Sequence, residues 1–379
     1  MQNCQDAYSA TFGSYAELFG YQQQLNTRST WTRCAVNQLH VKPLEKNSLS
    51  FPSLTDFASG VSVEAVEDTV NNLGLAIQLD HKLYPVRETA YKSLLDRAKV
   101  NGSGLNKLTK NELAQVLNTF LGHFRSEALV LVRDEKISAV HSGDEADYSI
   151  LPIDRLLDVL QHKLSDRFPG NCFEGGYSDH AITSAAWSLP DQKEELIGTY
   201  AKLLASKGKS ITASKLTPGI RFLTSDTGVS SAKVSALLLG GQHPIHIGSC
   251  IAVDHRHNTS VADFDHALDQ LFAQFGESIA KLQHLLEIEL DYPVNAMTRV
   301  CKKLSMPKKA AVEAIAMYEI TYGGGPATAH DVFLAMQEIP FIMKTSGAPE
   351  SKLLALEENM ARALSLSWAD YDLAKAVEY

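Results

Sequence analysis

Pro218-Gly-Ile-Arg-Phe-Leu-Thr-Ser-Asp-Thr-Gly228, followed after a short step by Ala232-Lys-Val-Ser-Ala-Leu-Leu-Leu239, decides the fold. The apolar parts are of strand length, and Ser225-Asp-Thr-Gly228 between them has the composition of a tight turn. Strands are therefore predicted over Ile220 to Thr224 and Ala232 to Leu239. Ala181 to Leu189 reads as a further strand, Glu194 to Ser206 as a helix, and Ile245 to His257 as a possible last strand. The centre of the chain is thus predicted to be a mixed or antiparallel sheet with flanking helices, an α+β fold.

Upstream, Val63, Val66, Val70 and Leu73 recur at helical spacing, with Gly74 as a stop, and a second helix is predicted from Arg87 to Lys99. Thr109-Lys-Asn-Glu112 is a capping box, in which hydroxyl and carboxylate satisfy the exposed amides that open a helix through His123. Ala128 to Val132 and Ile137 to His141 flank Arg133-Asp-Glu-Lys136, a hairpin with a charged tip, and Pro152 opens a helix through Leu164. Residues 1–60 are polar and turn-rich apart from one strand-like run, Leu39 to Leu44, and read as a mobile arm or cap.

Downstream, the period changes. Phe264, Leu268, Leu271, Phe275, Ile279, Leu282 and Leu286 trace one stripe of a long helix capped by Ser260 and Asp263. Pro293, Pro307, Pro326 and Pro349 divide the remainder into helices, Val294 to Leu304, Lys308 to Ile320, Thr328 to Gln337 and Glu350 to Leu366. The implied organisation is an arm (1–60), an α+β core (61–259) and a helical C-terminal region (260–379).

The chain has 379 residues, 45% hydrophobic and 21% charged, which suits a globular protein with one large core or two moderate ones. No basic and apolar leader opens it and no run is long enough to span a membrane, so a cytoplasmic protein is expected. Five scattered cysteines without a C-x-x-C pair imply neither a disulfide framework nor a zinc ribbon. A net charge of −9 disfavours whole-surface attraction to nucleic acid and leaves only a local patch. Lys202, Lys207, Lys209, Lys215, Arg221 and Lys233 form one candidate; Arg299, Lys302, Lys303, Lys308 and Lys309 form another. Such runs also occur as solvated faces.

His243, His246, His255, His257 and His266 are concentrated beside Asp254, Asp263, Asp265 and Cys250. On a strand, alternation would put His255 and His257 on one face, where they could chelate a divalent metal with His266 or Asp265. The alternative is a pair of neutral imidazoles at a sheet margin; no named zinc signature is present. Asp226-Thr227-Gly228 has the tripeptide of aspartic proteases, but Thr224-Ser225 precede it and no second copy follows, so a turn explains it more simply. No G-x-S-x-G elbow or marked nucleophilic cysteine occurs, and no catalytic residue is assigned.

Three segments in order resemble the phage/plasmid-like proteins classed as domain of unknown function 932. They are Ala128-Leu-Val-Leu-Val132 with Ile137-Ser-Ala-Val-His-Ser142 and Ile153-Asp-Arg-Leu-Leu-Asp-Val159; Pro218 to Gly228 with Ala232 to Leu239; and Thr328-Ala-His-Asp-Val-Phe-Leu-Ala-Met336. The resemblance implies a mobile-element protein engaged with nucleic acid or host defence. The expectations are a non-enzymatic homo-oligomer that binds or anneals single-stranded nucleic acid, a blocker of a host protein acting through the 261–289 stripe, or a metal-dependent hydrolase at the histidine cluster.

Overall fold

The computed structural model describes residues 3–46, 48–209, 214–240 and 244–379. Its strands of four residues or more are β1 (Ser9–Phe12), β2 (Ser29–Ala35), β3 (His40–Pro43), β4 (Leu75–Leu79), β5 (Lys82–Pro85), β6 (Glu127–Arg133), β7 (Lys136–Ser142), β8 (Cys172–Asp179), β9 (Thr183–Ser188), β10 (Thr217–Thr224), β11 (Ala232–Leu239) and β12 (Ile245–Val253). The strand–turn–strand segment sits in the middle of a six-stranded antiparallel sheet of order β1-β8-β9-β10-β11-β12. Its register sets Trp187 beside Ile220, and Phe222 beside both Ala185 and Val234. Alternation turns all of these onto one face, where they share a core with the helices Ile153–Arg167, Lys193–Ser206, Val261–Leu268 and Leu271–His284. The opposite face carries Leu223, Arg221 and Lys233. Helix Glu350–Ala361 covers it, packing Leu354 on Leu223 and pairing Glu357 with Arg221 and Glu358 with Lys233. The fold is α+β, as the strand and helix patterns predict.

Two three-stranded sheets, β2-β6-β7 and β3-β4-β5, build a second core with the helices Ala90–Ala98 and Lys110–Leu121. The Thr109–Glu112 capping box is formed as read. The hydrophobic cores divide the described residues near 143–151: most of the first core's members follow Leu151, and the second runs from Val36 to Val140. The expected N-terminal arm is instead woven into the body. β1 pairs with β8, β2 pairs with β6, and the intervening helix Tyr15–Thr27 buries Leu18 in the first core.

The 261–289 stripe also differs from expectation. Two helices replace the single long one, breaking at Asp269-Gln270, and every stripe residue from Phe264 to Leu286 is buried in the first core. An amphipathic period reports that a face is covered and not what covers it. Here it is covered from within, so the stripe offers no surface to a host protein.

The hairpin tip is a third difference. Asp134 and Glu135 adopt positive φ (46° and 71°), as a two-residue reverse turn between twisted strands requires. Yet the tip is driven between the two cores: Lys136 is fully buried, donating to Asp6 at 2.9 Å and Asp68 at 2.5 Å. Arg133 pairs with Asp226 at 2.5 Å and donates to the Ser29 hydroxyl at 2.7 Å. Arg87, also fully buried, donates to the Gln5 carbonyl, as does His180 Nε2 at 2.9 Å. Buried charges persist only when paired in this way.

Candidate functional site

Beside this ionic junction the two cores separate, leaving a polar cleft of about 560 Å³. Its walls are helix Ala90–Ala98 with Lys99, the end of β7, residues 146–148, the turn 227–231 and residues 254–257. One wall is a stack of rings. His141 lies on Tyr148 with centroids 3.6 Å apart and planes within 5°, and His255 follows at 5.6 Å. The Asp226 carbonyl accepts from Tyr148 Oη at 2.9 Å and from His141 Nε2 at 2.8 Å. Because a carbonyl can only accept, the proton of neutral His141 is assigned to Nε2, leaving Nδ1 as an acceptor beside Gly228. Burial pushes the His141 pKa down to about 4 against the pull of Asp226, and burial drives the Tyr148 phenol well above its ordinary value. The ring wall is therefore uncharged near neutral pH. Asp226-Thr-Gly228 is a turn, held by its backbone and by Arg133, as the simpler reading of that tripeptide requires.

The charge in the cleft comes from elsewhere. Lys92, Arg97, Lys99, Lys233 and Arg256 line it against Asp96, Asp147 and Asp254. Lys233 is held by Glu358 at 2.8 Å, but Lys92, Arg97, Lys99 and Arg256 have no ion-pair partner among the described residues. Arg97 is the most exceptional of them, since its Nε is buried without any hydrogen-bond partner. A guanidinium with a spare donor can donate a charge-assisted hydrogen bond to an oxyanion.

Among the described residues the histidine cluster does not come together as a metal-holding group. β12 ends at Val253, so His255 and His257 never share a strand face. His255 is buried with both ring nitrogens engaged: Nδ1 donates to the Ser149 carbonyl at 3.2 Å and Nε2 accepts from the Thr224 hydroxyl at 3.3 Å. His257 is exposed on a left-handed turn (φ 61°), and His266 is exposed on helix Val261–Leu268. Among the described residues no three His, Cys, Asp or Glu side chains form a metal-holding group. His243 lies outside the described residues.

Of the predicted basic stretch, Lys233 alone lines the cleft, and it and most of the others are brought close to acids. Lys202 pairs with Glu194 at 2.5 Å, Lys209 with Asp331, Arg221 with Glu357 and Lys233 with Glu358. Only Lys207 and Lys215 remain exposed without such partners among the described residues. In the second run, Arg299 and Lys302 donate to carbonyls of the C-terminal segment, Leu373, Lys375 and Glu378. Lys233 belonged to the predicted stretch, but the other four cleft cations were missed because they come from two distant segments, 92–99 and 256; the one local signal was Arg256, set between two histidines already singled out.

No protein-family model matches the chain, and neither a curated protein nor a solved structure shows significant similarity to it. No helix among the described residues is long and apolar enough to cross a membrane.

Proposed function

We propose that this protein binds single-stranded nucleic acid by its phosphate backbone in the cleft between the two cores, as a mobile-element protein of the phage/plasmid type. The supporting observation is the set Lys92, Arg97, Lys99 and Arg256, cations without acidic partners in a chain of net charge −9. A cluster of cations without acidic partners makes a locally positive surface on an otherwise anionic protein, to which a polyanion is attracted. The cleft volume of about 560 Å³ matches a ligand-sized site of roughly 300–1,000 Å³. Its rings lie buried edge to wall and present no stacking platform, which favours contact with phosphates over reading of bases.

The test is fluorescence anisotropy of a labelled oligonucleotide across a salt series. If four phosphates are neutralised, affinity falls by about 50-fold between roughly 50 and 200 mM salt, following a slope near −0.7 per phosphate. Charge reversal at Arg97, Lys99 and Arg256 abolishes binding for every sequence tried, whereas reversal at Lys202, Lys209 and Arg221 leaves it nearly unchanged. Absence of binding at low salt, or the opposite ranking of the two sets, ends the proposal. Free mononucleotide bound as tightly as the oligonucleotide would recast the cleft as a small-molecule site.

A further inference from the structure

We infer that the outer face of helix Lys308–Tyr322 is a self-complementary surface on which a second copy of this chain docks with the same helix antiparallel. This rests on observations independent of the cleft.

The helix follows Pro307, which cannot donate an amide, and no side chain caps its start. Its charges run against the backbone dipole. Lys308 and Lys309 stand in the first turn and Glu319 in the last, with no acid at the start and no base at the end. Cations are normally disfavoured at a helix N-terminus and carboxylates at a C-terminus. None of these three side chains has an ion-pair partner among the described residues. The same face is apolar: Val312 is 45% exposed and Ile320 86% exposed, with Ala316 exposed between them.

At about 100° per residue, Lys308, Lys309, Val312, Ala316, Glu319 and Ile320 fall within one third of the helix circumference. A single two-fold axis through the middle of the helix then relates them in reciprocal pairs. The axis that sets Val312 against the partner's Ala316 also sets Lys309 against the partner's Glu319, and the reciprocal pairs follow by symmetry. The small Ala316 lets the helices approach closely, Lys309 and Glu319 meet across the axis, and Lys308 lays its aliphatic stem along the partner's Ile320 with the ammonium left in water. The positive start of one helix lies over the negative end of the other, which cures the unfavourable dipole arrangement in both copies. Among possible occupants, only a second copy needs both halves of this pattern on one helix.

Native mass spectrometry and sedimentation of the full chain at micromolar concentration test the inference. The wild-type chain is expected to be a dimer, and Ile320→Lys a folded monomer whose cooperative melt is lowered only by what self-association contributed, since that side chain is 86% exposed in the single chain. Lys309→Glu and Glu319→Lys should each weaken the dimer about tenfold or more, as loss of a cross-interface pair on both sides would. The double exchange Lys309→Glu with Glu319→Lys should restore it. A monomeric wild-type chain, a dimer indifferent to Ile320→Lys, or a double variant no tighter than the singles overturns the inference.

Discussion

The junction at the hairpin tip and the adjoining cleft are made from the same two cores, and both are rich in charge, yet they are built in opposite ways. At the junction Lys136, Arg133 and Arg87 are buried, and each meets carboxylates or carbonyls supplied by residues 3–6, Asp68 and Asp226. In the cleft Arg97 is half-buried with an unsatisfied Nε, and Lys92, Lys99 and Arg256 face solvent without partners. The difference separates two uses of a cation. Where a charge has been fully desolvated and paired it fixes how the cores sit together. Where it is left incomplete, it stays available to a ligand of opposite charge, the use proposed for the cleft.

The contrast breaks first at Lys136. Lys136→Met leaves Asp6 and Asp68 sharing a buried site without their cation, at a cost of about 3–5 kcal/mol in urea-induced unfolding. Adding Asp6→Asn and Asp68→Asn should recover part of that loss, because the penalty comes from uncompensated carboxylates. A loss below about 1 kcal/mol would mean the junction tolerates water and is no different in kind from the cleft.

Acid should act next. Burial holds four histidines neutral, lowering His141 and His330 to about 4, His246 to about 3 and His180 to about 2. Once unfolded, each regains an ordinary value near 6.5, so below that pH the unfolded chain takes up protons that the folded chain refuses. Stability therefore rises with pH between about 4 and 6.5, by at most about 1.4 kcal/mol per unit for each histidine. Asp68 works in the same direction at lower pH. Burial alone would raise its pKa, but hydrogen bonds from Lys136 and from the Asp6 amide lower it, so its stabilisation is present above about 4 and is lost as pH falls further. Urea midpoints that stay flat from about pH 7 to 5 would show these imidazoles to be wet.

How far each region was legible follows from where its partners lie. Helix starts were readable because a cap is a local event: Thr109 and Glu112, or Ser260 and Asp263, stand three residues apart. The central hairpin and its turn were readable for the same reason. The fate of a charge was not, because Lys209, Arg221 and Lys233 are neutralised by Asp331, Glu357 and Glu358, more than a hundred residues away. A run of basic residues in sequence measures only local composition. The cleft shows the converse, since Lys92, Arg97 and Arg256 converge only after both cores have formed. Likewise the period from Phe264 to Leu286 reported a buried face correctly while leaving open whether the cover was this chain or another.

The smallest expected effect is the sharpest for the comparison. If Arg97 belonged with the junction residues, shortening it to an uncharged chain would cost several kcal/mol, as at Lys136. Its Nε has no partner to lose, however, and a buried donor without an acceptor is a cost already carried by the folded state. Arg97→Met keeps the aliphatic stem against the wall of the cleft and removes that unsatisfied group. Unfolding stability should therefore stay level or rise by up to about 1 kcal/mol, while oligonucleotide affinity falls. Stability and binding moving in opposite directions at one residue is the behaviour of a site held open for a ligand; both falling together would place Arg97 among the structural cations.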